Sequence, residues 1–163
     1  MRIATIPEKT SITMETTQKT TDLLNDLIEI NNDRVAGFEK VLADISDENA
    51  DVKLLFQEYA SQSREFSQEL TAIVAANAEE AETGNSVSGT LHRAWIDVKA
   101  LFGGSDRKSI LAEAERGEDA IKKAYQTTLE EGELSADVLQ TVSTQATAIN
   151  AAHDRIKALR DAA

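Results

Sequence analysis

LNDLIEINNDRVAGFEKVLADI, residues 24–45, sets Leu24, Ile28, Asn31, Val35, Phe38, Leu42 and Ile45 at alternating spacings of four and three. That is the seam of an amphipathic helix laid against other helices, and it predicts a helix over about 20–45 with Thr20 or Thr21 as its N-cap. Asp26, Asp33, Glu39 and Lys40 fall on the other face, which reads as solvent-facing. One polar residue, Asn31, interrupts the seam near its middle.

The same pattern returns three times. Ser46 and Asp47 supply a turn and a new N-cap, and a second helix is expected to about residue 80 along Val52, Phe56, Tyr59, Ser63, Phe66, Leu70 and Ile73. Ser105 or Asp106 caps a helix over about 107–131 with the seam Leu111, Ala114, Glu118, Ile121, Tyr125 and Thr128, closed by Gly132. Ser135 opens the last, to about residue 160, along Val138, Val142, Gln145, Ile149, Ala152, Ile156 and Leu159. Each seam again carries one polar break: Ser63, Glu118 and Gln145. A shorter amphipathic piece over about 88–102, with Leu91, Trp95, Val98 and Phe102, follows a loop at 82–89 and ends at Gly103 and Gly104. Four long helices with short turns inside the first and last pairs, and a long connection between the pairs, describe an all-α four-helix bundle with one short crossover helix. A weak internal echo, shifting Leu24 onto Leu111 and Asn31 onto Glu118, suggests a duplicated helix pair.

Composition agrees with that fold and excludes several functions. The 163 residues include one proline, Pro7, and no cysteine, so disulfides, thiolate nucleophiles and cysteine-ligated metals are out. A formal net charge of -12 repels phosphate backbones and anionic lipid headgroups, which argues against nucleic acid and membrane partners. No stretch approaches the roughly 20 apolar residues that span a bilayer, and no signal-peptide core precedes residue 19. A cytoplasmic protein is expected, with residues 1–19 as a flexible threonine-rich tail and 20–163 as one domain.

The order of elements resembles the ferritin-like superfamily. The runs LNDLIEINNDRVAGFEKVL from Leu24, LFQEYASQSREFSQEL from Leu55, SVSGTLHRAWIDVKALFGG from Ser86, ERGEDAIKKAY from Glu115 and AAHDRIKALRD from Ala151 are similar to a bacterial group of four-helix-bundle proteins of unknown function. The most specific pieces are His92, Arg93 and Trp95 on the crossover and the run from Glu115 to Asp119. The resemblance implies a fold and a bacterial source, and no activity.

The polar breaks are where function would sit, because polar groups buried at one level of a bundle need partners or a ligand. Ferritin-like di-iron sites use Glu-x-x-His pairs, which aim both ligands at one metal. No such pair occurs: three residues before His92 is Gly89, and three before His153 is Asn150. Two readings of the layer follow. In the first, Asn31, Ser63, Glu118 and Gln145 form a register-setting network, with Glu118 paired to a basic neighbour such as Arg64 and hydrogen-bonded to Asn31 and Gln145. In the second, Glu118 joins Glu115, Glu65 and His153 in a non-standard carboxylate site for Fe or Mn. His92 and His153 read as half-buried structural histidines, and Trp95 as a plug over one end. With no hydrolytic or phosphate-binding motif, the expected function is non-enzymatic and cofactor-free, through protein interaction or stress-related protection. Ala146, Ala148, Ala151 and Ala152 leave a low surface on which a homodimer can form.

Overall fold

The computed structural model describes residues 6–76 and 106–163, with side chains from residue 18 onward in the first segment. It contains α1 (Ile6–Asp44), one 3₁₀ turn (Asp47–Asn49), α2 (Ala50–Ala76), α3 (Arg107–Glu131) and α4 (Ala136–Ala162), and no strand among the described residues. The expected crossover at 88–102, with His92 and Trp95, lies outside them.

Two features differ from expectation, one boundary and one buried residue. α1 starts at Ile6, so residues 6–19 of the expected tail are helical. Pro7 sits in the first turn, where its missing N–H breaks no hydrogen bond, and nothing between it and Thr20 stops a helix propagating outward from its packed part. Asp33 is buried rather than solvent-facing. α1 packs on both α2 and α3, so two flanks of the helix are covered where a single seam suggested one. Asp26, Glu39 and Lys40 are exposed as expected.

Helix ends follow local chemistry. Asp106 caps α3, its carboxylate accepting from the Ser109 N–H at 2.8 Å. At the other end the Gly132 N–H donates to the Thr128 carbonyl at 2.9 Å. A Cβ on Gly132 would stand 2.7 Å from that oxygen, so a glycine permits the tight exit.

Two antiparallel hairpins, α1–α2 and α3–α4, result from the short turns. α1 runs antiparallel to α3: Thr20 bonds the Glu133 backbone, and Arg34 bonds Glu118. α2 runs parallel to α3, because Arg107 opening α3 grips Asp51 opening α2, at 2.8 and 2.6 Å. Neighbouring helices are therefore antiparallel and diagonal ones parallel. Between the hairpins lies one continuous core that includes Leu27, Ile28, Phe38, Phe56, Leu70, Leu111, Ile121, Ile149 and Ile156. Phe38 packs on Phe56 with ring centroids 4.8 Å apart.

Phe56→Ala is expected to destabilise the fold by about 3–5 kcal/mol, whereas Leu54→Ala, on the exposed side of α2, should change it by under about 0.5 kcal/mol; chemical denaturation of both variants checks the contrast. The Arg107 guanidinium pulls the Asp51 carboxyl from its ordinary 3.8 to about 2. A depressed carboxyl favours folding above its unfolded value and loses that contribution as pH falls. Acid unfolding followed by circular dichroism should therefore lose a component between about pH 4 and 2 that Asp51→Asn lacks, and added salt should shrink the difference.

Candidate functional site

Asn31, Ser63, Glu118 and Gln145 are all buried, and hydrogen bonds connect them along about two turns of the bundle rather than at one level, since Gln145 bonds Tyr125, seven residues beyond Glu118. The connection runs through two residues that the seam reading did not place in it, Arg34 as a charge and Tyr125 as a polar group. Arg34 and Glu118 are fully buried, with 0% exposed side chains. The guanidinium meets the carboxylate as a fork: Nε donates to Oε2 at 2.8 Å and Nη2 to Oε1 at 2.6 Å. Nη1 then serves α2, donating to the Ser63 hydroxyl and Gln62 Oε1 at 2.9 Å each and to the Tyr59 carbonyl at 3.3 Å. Its carbon lies 5.3 Å from the Phe38 ring centroid and 5.2 Å from that of Tyr59, so the flanking walls are aromatic.

From Ser63 the chain continues. Its hydroxyl donates to Asn31 Oδ1 at 2.9 Å, and Asn31 Nδ2 donates to the Leu27 carbonyl and to the Tyr125 hydroxyl, both at 2.8 Å. Tyr125 donates to Gln145 Oε1 at 2.7 Å, and Gln145 Nε2 reaches Glu69 Oε1 at 3.1 Å. All four helices thus contribute. Burial pushes the Tyr125 phenol up, which keeps it a neutral donor, and burial together with the Glu118 charge lifts Tyr59 to about 12. Among the described residues, Glu113 Oε2 is the one buried side-chain oxygen or nitrogen without a hydrogen-bond partner.

Arg64 is not the partner of Glu118. It follows Ser63 by one position, about 100° around the helix, and pairs instead with Glu39 at the surface. Nor does Glu118 bond Asn31 or Gln145 directly; Arg34 and Tyr125 stand between. Arg34 escaped the sequence reading because Val35, four residues after Asn31, continued the apolar pattern. Position 34, three residues after, lies as close to the seam, and Val35 is only half-buried.

The other candidates separate. Glu65 is exposed on α2 and meets none of them. Glu115 and His153 do meet, on facing sides of α3 and α4, and Asp119 joins them, one ligand atom from each lying within 4.8 Å of the others. His153 Nε2 is 2.7 Å from Asp119 Oδ1 and 3.5 Å from Glu115 Oε1. Arg160 holds the other oxygen of Glu115, and His153 Nδ1 lies 3.1 Å from Asp154 Oδ1. The imidazole keeps the Asp154 carboxyl below its usual range.

Breaking the buried pair leaves a bare charge in the core. Arg34→Met is therefore expected to destabilise by about 3–5 kcal/mol, and Arg34→Met with Glu118→Leu to recover most of that loss. Arg64→Met, at the surface, should shift stability by about 0–1 kcal/mol. Thermal and urea denaturation of the three proteins distinguish a buried clamp from a surface one.

Among the described residues no helix is long and apolar enough to cross a membrane. No curated protein matches the chain in sequence. A conserved hypothetical protein, Rv2844, from Mycobacterium tuberculosis has a similar crystal structure, with a TM-score of 0.71 at 16% identity over 91% of this chain and 94% of that one. At that identity the likeness speaks for the helical fold alone. A family model described as a domain of unknown function, DUF2383, matches residues 19–131, which take in α2, α3 and the Arg34–Glu118 clamp. The chain belongs to the DUF2383 family.

Proposed function

We propose that this protein is a non-enzymatic helical bundle of ferritin-like type that acts through its outer surface on a protein partner in the bacterial cytoplasm. The observation that supports this is the closure of the polar layer. Both Glu118 oxygens are taken by one guanidinium, and the remaining polar groups satisfy one another across all four helices. A layer saturated in this way holds register and offers no group to a substrate. Stress-related protection is the same reading in another setting, since such a bundle protects by covering a surface.

The ferritin-like assignment draws support from the topology. α2 and α3 run parallel, so the end of α2 and the start of α3 lie at opposite ends of the bundle. Two hairpins joined in that sense are the arrangement of a bundle with one crossover, for which 88–102 is the proposed helix. The charge of -12 points the surface toward a neutral or basic protein partner.

For a homodimer, the alanines of α4 do not form one open stripe. Ala146 and Ala152 are buried in the core, Ala148 is half-buried and Ala151 is exposed. Among the described residues, the exposed large apolar side chains are Leu54, at 68%, and Leu139, at 44%. A photo-crosslinking residue at 54 or 139 is expected to give a discrete adduct in cells, with exposed position 126 as the control. Adduct mass separates a second copy from another protein, and monomer alone at both positions would overturn the interaction reading.

A further inference from the structure

We propose that Glu115, Asp119 and His153 form a binding site for one divalent first-row transition cation, Zn²⁺ or Mn²⁺, at the α3–α4 interface. The site lies apart from the polar layer and does not rest on the interaction reading. Its starting point is an electrostatic demand. Both ring nitrogens of His153 face carboxylate oxygens, which can only accept: Nδ1 lies 3.1 Å from Asp154 Oδ1 and Nε2 lies 2.7 Å from Asp119 Oδ1. A neutral ring carries one N–H, so one of its nitrogens presents a lone pair to an anion; with the proton on Nδ1 that nitrogen is Nε2, which also has Glu115 Oε1 at 3.5 Å. Lone pairs and anions do not crowd together without a positive charge among them. A proton or a metal ion meets that demand.

Three features favour the metal. The first is spacing: ligands about 2.1 Å from a tetrahedral ion stand roughly 3.4 Å apart, and all three atoms lie within 4.8 Å of one another, so side-chain adjustment of about an ångström closes the shell. The second is outer support. Buried metal ligands are held by partners of their own, and here Asp154 orients the imidazole while Arg160 takes the spare oxygen of Glu115 and is itself anchored on Asp161 at 2.9 Å. The third is access. The side chains of Glu115 and His153 are 10% and 9% exposed, while that of Asp119 is 62% exposed, leaving a solvent side for entry and for bound water. One imidazole with two carboxylates suits Zn²⁺ or Mn²⁺ and disfavours cations that prefer oxygen alone, such as Ca²⁺. The spacing Glu115, Asp119 is one turn of α3, so a single helix face carries both carboxylates.

The test is calorimetric titration of chelator-treated full-length protein with Zn²⁺ and, separately, Mn²⁺ near neutral pH, joined to the visible spectrum of the Co²⁺ form. One saturable equivalent is expected, with a Co²⁺ spectrum that His153→Gln alters. Asp119→Asn, a surface change that the fold tolerates, should weaken binding by at least about tenfold. Glu65→Gln, exposed on α2, should bind as the unaltered protein does. Absence of saturable binding by either cation overturns the proposal, as does equal affinity in Asp119→Asn and Glu65→Gln. So does a His153 ring whose nitrogen chemical shifts do not respond to Zn²⁺.

Discussion

The arrangement of this bundle depends on one buried ion pair. Arg34 and Glu118 come from the two different hairpins, and the fork between them fixes how far α1 is slid along α3. Because both are removed from water, a register that parts them leaves a buried charge without its partner. Apolar side chains pack nearly as well one turn away, so a seam of Leu, Ile and Phe selects register weakly. The ion pair selects it strongly, at a desolvation penalty that hydrophobic replacements would avoid.

Around that pair the remaining polar residues have graded roles. Ser63 and the Gln62 amide give Arg34 its α2 partners, Asn31 passes the network to Tyr125, and Tyr125 brings in α4 through Gln145. The aromatic walls of Phe38 and Tyr59 exclude water while keeping an attractive surface for the cation. The histidine cluster at the α3–α4 interface is separate in geometry and in chemistry: its anionic groups are partly open to solvent, whereas those of the layer are sealed.

The sequence carried the helices and the polar interruptions of their seams, because heptad spacing is a property of each helix alone. The matches are close at α3, where capping by Asp106 and the close exit at Gly132 are local chemistry. The identity of the charge partner was not legible. Arg34 and Arg64 each neighbour a seam position, and choosing between them needs the rotation of one helix against another, which only tertiary packing sets. The same limit hid Asp33, buried on a second flank of α1, and Asp119, whose partnership with His153 crosses between α3 and α4. The extension of α1 back to Ile6 went unread for the opposite reason: helical continuation there follows from the absence of a breaker rather than from any periodic signal.

The 84 residues that separate Arg34 from Glu118 also bear on how the chain reaches this state. Each hairpin closes through a short turn, so contacts within a hairpin are more local in sequence than the clamp between the halves. Until they dock, both charges keep their hydration shells, and shedding that water is unfavourable at every separation except the last. Docking therefore becomes a late, all-or-none event, and hairpins that collide out of step part again rather than settle. The pair that holds the native register thus also acts as a kinetic proofreader of assembly.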